Sequence, residues 1–148
     1  MSEELIRQLL SRIKAIEQEF ERTKVIEKSS AIQGYVTTTD ATVTTVATIA
    51  IPASTTVVIE AHVAARRTGG GAGSAEDGAG YVVRGTYKNV AGTATLIGSV
   101  NADYTAESQA GWDATFTASG GNVLVRVTGA VNNNVSWYCC ANAYQISS

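Results

Sequence analysis

TTVVIEAHVAARRT, residues 55–68, decides the class of the fold. Val57, Ile59, Ala61, Val63 and Ala65 fall on one side of an extended chain, and Glu60, His62 and Arg66 fall on the other. A period of two with one apolar and one polar face marks a half-buried strand. Val, Ile and Thr are β-branched, which suits them to a pleated surface. This is the longest strand the sequence predicts. Gly34 is where the period of two begins.

On the C-terminal side, Gly69–Gly80 is rich in Gly, Ala and Ser and reads as a long mobile loop. Tyr81–Asn89 resumes the alternation, with Tyr81, Val83 and Tyr87 opposing Val82, Arg84 and Lys88. Ala91-Gly92 turns the chain into Thr93–Asn101, and the polar Ala102–Gly111 reads as a second loop. Trp112–Thr117 sets Trp112, Ala114 and Phe116 against Asp113, Thr115 and Thr117. After a turn at Gly120-Gly121-Asn122, Val123, Val125 and Val127 point inward. Asn132-Asn133-Asn134 then leads into Val135–Ile146 with Trp137. On the N-terminal side, Thr42–Ile51 alternates with Val43, Thr45, Ala47, Ile49 and Ile51 on one face, and Tyr35–Thr39 is a short extended piece. About eight short strands separated by turn signals predict an antiparallel β-sandwich or jelly roll. The Ala-rich inner face implies close sheet contact or burial against a neighbouring subunit.

Residues 5–26, LIRQLLSRIKAIEQEFERTKVI, are the single stretch of helical period. With Ile6, Ile13 and Phe20 at heptad position a, Leu9, Ile16 and Thr23 fall at d. That seam repeats every 3.5 residues, the period of helices winding around one another. Arg12 and Glu19 at g face Glu17 and Lys24 at e, which favours a parallel, in-register bundle. Ile at a with Leu and Ile at d leans away from dimers toward trimers or tetramers, Leu5 and Leu10 widen the stripe to suit a larger bundle, and the reading is a parallel trimer. The competing reading is an amphipathic helix folded back on its own β domain. Ser2 is the expected N-cap, with Glu3 and Glu4 favoured by the helix dipole. A helix through Lys28 would span on the order of 35–40 Å. The expected division is a coiled-coil helix over 1–30 and a β-sandwich over 31–148.

A formal charge of −2 gives no electrostatic argument for nucleic acid or for an anionic membrane. No apolar run reaches membrane-spanning length, and the charged N-terminus does not read as a signal peptide. Cys139 and Cys140 are adjacent, so on a strand they point to opposite faces and a bond between them is disfavoured. Two cysteines and the lone His62 do not make a zinc site, and no cofactor is expected.

The Gly-rich segment lacks the Gly-Lys-Ser/Thr ending of a phosphate loop. It stands as a contact surface, with Gly69, Gly71, Glu76 and Asp77 as candidates and Tyr104 and Glu107 on the second loop. Glu60 and His62 share a strand face and read as a solvated or interface pair rather than an acid–base dyad. No G-x-S-x-G elbow accompanies the histidine. Trp112 and Trp137 occupy inward positions and read as core. A hydrolase would require Glu60, Glu107 and Asp113 to converge, and the composition offers no enzymatic pattern. A carbohydrate-binding module would need a row of exposed aromatics, drawn from Tyr81, Tyr87, Tyr104, Tyr138 and Tyr144.

Ala110-Gly111-Trp112-Asp113-Ala114, Val125-Arg126-Val127-Thr128-Gly129 and Val135-Ser136-Trp137 resemble stretches of a β domain found in bacteriophage tail-fibre, head-fibre and minor structural proteins. Val57–Arg67 is similar to the long strand of that domain. The resemblance covers roughly Thr38 to Ile146, and the short coiled coil ahead of it is typical of such proteins. It implies a non-enzymatic, homotrimeric virion protein that attaches to other virion proteins and recognises a host surface glycan or protein. Ile6, Leu9, Ile13, Ile16 and Phe20 are the expected oligomerisation residues.

Overall fold

The computed structural model describes residues 2–24 and 27–148, with the backbone alone for residues 20–24 and 27–29. Helix α1 covers Glu3–Lys24. Ser2 caps it as the sequence predicts, its Oγ accepting the Leu5 N–H at 3.2 Å. The 22 residues span about 33 Å. The heptad assignments of Phe20 and Thr23 concern side chains outside the described residues.

The helix ends before the expected Lys28. Strand β1, Glu27–Thr38, is already paired at its first residue, Glu27 opposite Ile146. Position 27 would put a glutamate at heptad position a, and the ladder with β8 satisfies the backbone there instead. A division at 30/31 therefore cuts through β1. The other strands are β2 (Thr44–Ala50), β3 (Thr55–Gly69), β4 (Gly78–Val90), β5 (Thr93–Glu107), β6 (Asp113–Ser119), β7 (Asn122–Thr128) and β8 (Asn134–Ser147).

They form two antiparallel sheets, ordered β1-β8-β3-β4-β5 and β2-β7-β6. The chain ends pair first, β1 with β8, and the next strands inward, β2 with β7, lie in the opposite sheet. The inward faces match the alternation in sequence. Val57, Ile59, Ala61, Val63 and Ala65 of β3 meet Val123, Val125 and Val127 of β7 in one core. Each such valine or isoleucine contributes roughly 1.5–3 kcal/mol by leaving water. Gly34 marks a close approach of the sheets, where a Cβ would overlap the Val46 carbonyl oxygen. Trp137 lies 5.8 Å from Trp112 edge-on and 6.4 Å from Tyr81. Its indole N–H donates to Thr38 Oγ1 at 2.9 Å, which ties the end of β1 into the core.

Two further expectations, both about the strands, fail for a backbone reason. Val43 is exposed rather than inward. A register shift between Thr45 and Ala47 inverts the parity upstream and buries Val46 beside Ala47. The loop expected over 102–111 is strand as far as Glu107, paired with β4 through two register shifts.

Candidate functional site

Three regions hold the candidate residues. The first is α1. Among the described residues its large apolar side chains are solvent-exposed in the single chain, from Leu9 at 41% to Ile16 at 69%. Leu5, Ile6, Leu9, Leu10, Ile13 and Ile16 therefore meet no core of their own chain, and the fold-back alternative is not what the helix does. No helix among the described residues is long and apolar enough to cross a membrane.

The second is the Gly-rich segment, which is shorter and better held than its composition predicts. β3 runs through Gly69, paired with Asn134, and β4 begins at Gly78. The Arg67 guanidinium reaches across the loop, donating to the Gly70 carbonyl at 2.6 Å, the Ala72 carbonyl at 2.8 Å and Asn133 Oδ1 at 3.0 Å. Asp77 Oδ2 accepts the Ser74 N–H at 2.8 Å and the Gln109 amide at 2.6 Å. Those bonds, Ser74 first, hold its carboxyl below the usual carboxylate range. Gly71 stands in open space, and exposed Glu76 pairs with Arg66 at 3.5 Å.

Glu107 lies at the same end of the β4–β5 pair as Asp77, but Tyr104 does not share its face. Glu107 accepts the Tyr81 hydroxyl at 2.7 Å. Burial, then this bond and the charges of Glu107 and Asp113, push the Tyr81 phenol up. Glu60 stands on the opposite face of the sheet, so the three carboxylates a hydrolase would need do not converge. The two candidate loops thus give one ordered rim and one strand.

The third region is the outer face of the five-stranded sheet, which sequence reasoning recognised only in pieces. Tyr35 on β1 pairs directly with Tyr138 on β8, which pairs with Ala64 on β3, which pairs with Gly80 on β4. On the neighbouring rung, His62 pairs with Val82, and Val82 with Tyr104 of β5. Tyr35 is 67% exposed, Tyr104 57% and Tyr138 46%, whereas Tyr81 and Tyr87 are buried. Two of the five tyrosines in the expected aromatic pool are therefore core. Tyr35, absent from that pool, is surface, and the alternation of Val36 and Thr38 against Tyr35 and Thr37 carried that signal. Tyr35 Oη lies 3.0 Å from Ser136 Oγ, and that bond, then Thr37, lowers its phenol pKa.

Between these rings lie two open troughs. One, about 350 Å³, is flanked by Tyr138 and Tyr104 over Ala64 and Gly80. The other, about 360 Å³, is bounded by Tyr35 and Tyr138. Beside them runs a polar chain. His62 Nε2 is 2.9 Å from Glu60 Oε1, Glu60 Oε2 is 3.6 Å from Arg84 Nε, and Arg84 bonds Asp103. The Glu60–His62 contact expected from their shared face is present.

No protein-family model matches the sequence, and no curated protein matches it. Among solved structures the chain is similar to the tailspike protein of Acinetobacter baumannii phage AM24, at 9% identity and a TM-score of 0.46, over 81% of this chain and 26% of that one. It is also similar to the tailspike protein gp49 of A. baumannii bacteriophage Fri1, a capsular polysaccharide depolymerase, at 11% identity and 0.35, over 78% and 17%. The Acinetobacter phage vB_ApiP_P1 tailspike gives 11% and 0.39, over 82% and 22%. The chain spans about a quarter or less of those proteins. At such scores the likeness fixes neither fold nor function.

Proposed function

We propose that the chain is a non-enzymatic, homotrimeric structural protein of a bacteriophage particle, a short helical stalk carrying a β-sandwich knob. One end attaches to other virion proteins and the other faces solvent and the host surface. The observation that carries this reading is the uncovered apolar seam of α1. In proteins a helix draws most of its stability from packing an amphipathic face rather than from propensity. Three parallel copies supply that packing, with Ile6, Leu9, Ile13 and Ile16 as knobs in one another's holes.

The sequence resemblance supports the phage assignment. Its motifs centre on Trp112, Val125, Val127, Val135 and Trp137, all of them core positions. They therefore speak for a domain architecture and carry no catalytic group. Attachment of this kind rests on buried area and symmetry rather than chemistry.

The test is mass spectrometry of purified particles of the virus that encodes the chain. The chain should be an integral component, in a copy number divisible by three. Its absence from washed particles would remove the virion role.

A further inference from the structure

We propose that the stalk-side half of the outer face of the five-stranded sheet is a subunit interface, on which Tyr144, Ile146, Val58 and Ile97 pack against a second copy of this chain. The inference rests on the trimer proposed above and adds a surface to it: the sandwich joins the helix in holding the copies together.

Strand pairing lays this face out row by row. Ile146 stands between Glu27 of β1 and Thr56 of β3 in the first row. In the next row on that face Tyr144 pairs with Val58, Val58 with Thr86, and Thr86 with Ile97. The four large apolar side chains are exposed in the single chain, from Val58 at 42% to Ile146 at 59%. A solvated sheet face carries polar residues, and contiguous apolar ones mark a contact. Tyr35, Tyr104 and Tyr138 on the other half have hydroxyls to offer water, whereas Val58, Ile97 and Ile146 have nothing. The two charged residues of these rows, Glu27 and Lys88, are of opposite sign and both belong to the first. Glu60 and Arg84 lie one row beyond Val58 and Thr86, 3.6 Å apart, and Arg66 is further along β3. The patch can therefore close without stripping water from that ionic row.

What covers the patch follows from where the stalk enters the sheet. Helix α1 ends at Lys24 and β1 begins at Glu27, so at most about 11 Å of chain separates their Cα atoms. Ile146 lies roughly 5 Å from Glu27, across one strand pair. Packed helices stand about 8–10 Å apart, so a trimeric stalk delivers this end of three sheets to one axis. Val57, Tyr87 and Ala143 fill the inner side of that end, which leaves the outer face to meet a neighbour. The stalk is also short for the task. Its seam runs for about three heptads, the lower limit for a coiled coil. Permanent assemblies bury on the order of 2,000 Å² or more, and this patch adds large apolar side chains beside the same axis.

The experiment follows dissociation by light scattering over a dilution series of the full chain. The samples are the wild type, Tyr144→Lys, Ile146→Lys and, from the far half of the same face, Tyr35→Lys. All three side chains are exposed in the single chain, so circular dichroism should not change. The concentration of half-dissociation should rise roughly tenfold or more in Tyr144→Lys and Ile146→Lys and stay at the wild-type value in Tyr35→Lys. A second readout does not depend on how tightly the copies associate. In a Cys140→Ser background, Ile146→Cys and Tyr35→Cys each place one thiol on this face, at positions 59% and 67% exposed in the single chain. In the trimer the thiol at 146 should react at least about tenfold more slowly than the thiol at 35. Unmoved dissociation in either patch variant, or equal labelling at the two positions, overturns the proposal and leaves the patch to another component of the particle. A monomeric wild type ends the stalk reading together with this one, whereas a wild-type trimer with an open patch ends this one alone.

Discussion

Thr38→Val is a near-isosteric change that removes one atom's function from the core. Thr38 Oγ1 is the acceptor of the Trp137 indole N–H at 2.9 Å, in a site from which water is excluded. Valine leaves that N–H buried without a partner, which costs about 1–3 kcal/mol. For a chain of this size that lowers Tm on the order of 5 °C. Trp137→Phe removes the donor together with part of the ring that packs on Trp112 and Tyr81. It should cost more than Thr38→Val but less than the ~3–5 kcal/mol of truncation to alanine. In the double variant neither group remains to be orphaned, so its cost should fall short of the sum by about 1 kcal/mol. The assay is guanidinium unfolding followed by far-UV circular dichroism at one fixed protein concentration, since association shifts the midpoint. A silent Thr38→Val, with additive costs in the cycle, would refute the claim that this bond ties β1 into the core. Trp112 is the internal contrast, because its indole nitrogen is already buried with no hydrogen-bond partner among the described residues.

Gly34→Ala places a Cβ on the Val46 carbonyl oxygen, a backbone atom that cannot step aside. It should cost about 1–3 kcal/mol or more in the same unfolding assay, and a neutral result would mean the sheets do not meet there. Cys139 is buried with its thiol pushed up to about 11 by burial and then by Cys140, whereas Cys140 is partly exposed. A thiol reagent at pH 8 should modify Cys140 promptly and Cys139 only on unfolding; equal rates would contradict this. Asp77 has a depressed folded pKa, so its contribution is present above the usual carboxylate range and is lost as pH falls through the folded value. The melting difference between wild type and Asp77→Asn should therefore be seen at pH 7 and close as the solution is acidified past that point. A difference independent of pH would exclude the carboxylate as its source.

The central strands were legible because each buries one face against the second sheet. On β3 and β7 that burial writes itself into every other residue, from Val57 to Ala65 and from Val123 to Val127. The far half of β5 was not legible for the opposite physical reason. Ala102–Glu107 lies exposed at the sheet edge, so no alternation is imposed, and the strand exists through backbone pairing with β4 that hydropathy does not record. The beginning of β1, at the other edge of the same sheet, is likewise held by backbone pairing, there with β8, and the side of Val43 was lost to a bulge of one residue. The candidate surface was half visible. Trp137 turned inward dictates Tyr138 turned outward, but bringing Tyr138 beside Tyr35 and across from Tyr104 takes pairings between distant parts of the chain. The helical seam, by contrast, was legible as a periodicity, but an amphipathic helix folded back on its own β domain has the same period, so its exposure came only from the structure.

Light scattering on the full chain and on Ile13→Asp asks the most direct question. Ile13 sits at the middle a position, half-exposed in the single chain, so the substitution leaves the β domain untouched. The wild type should weigh about 46 kDa, three times the 15.4 kDa chain, and Ile13→Asp should fall to a single chain. A monomeric wild type would contradict the stalk, and a trimer unmoved by the aspartate would transfer the interface to the sandwich.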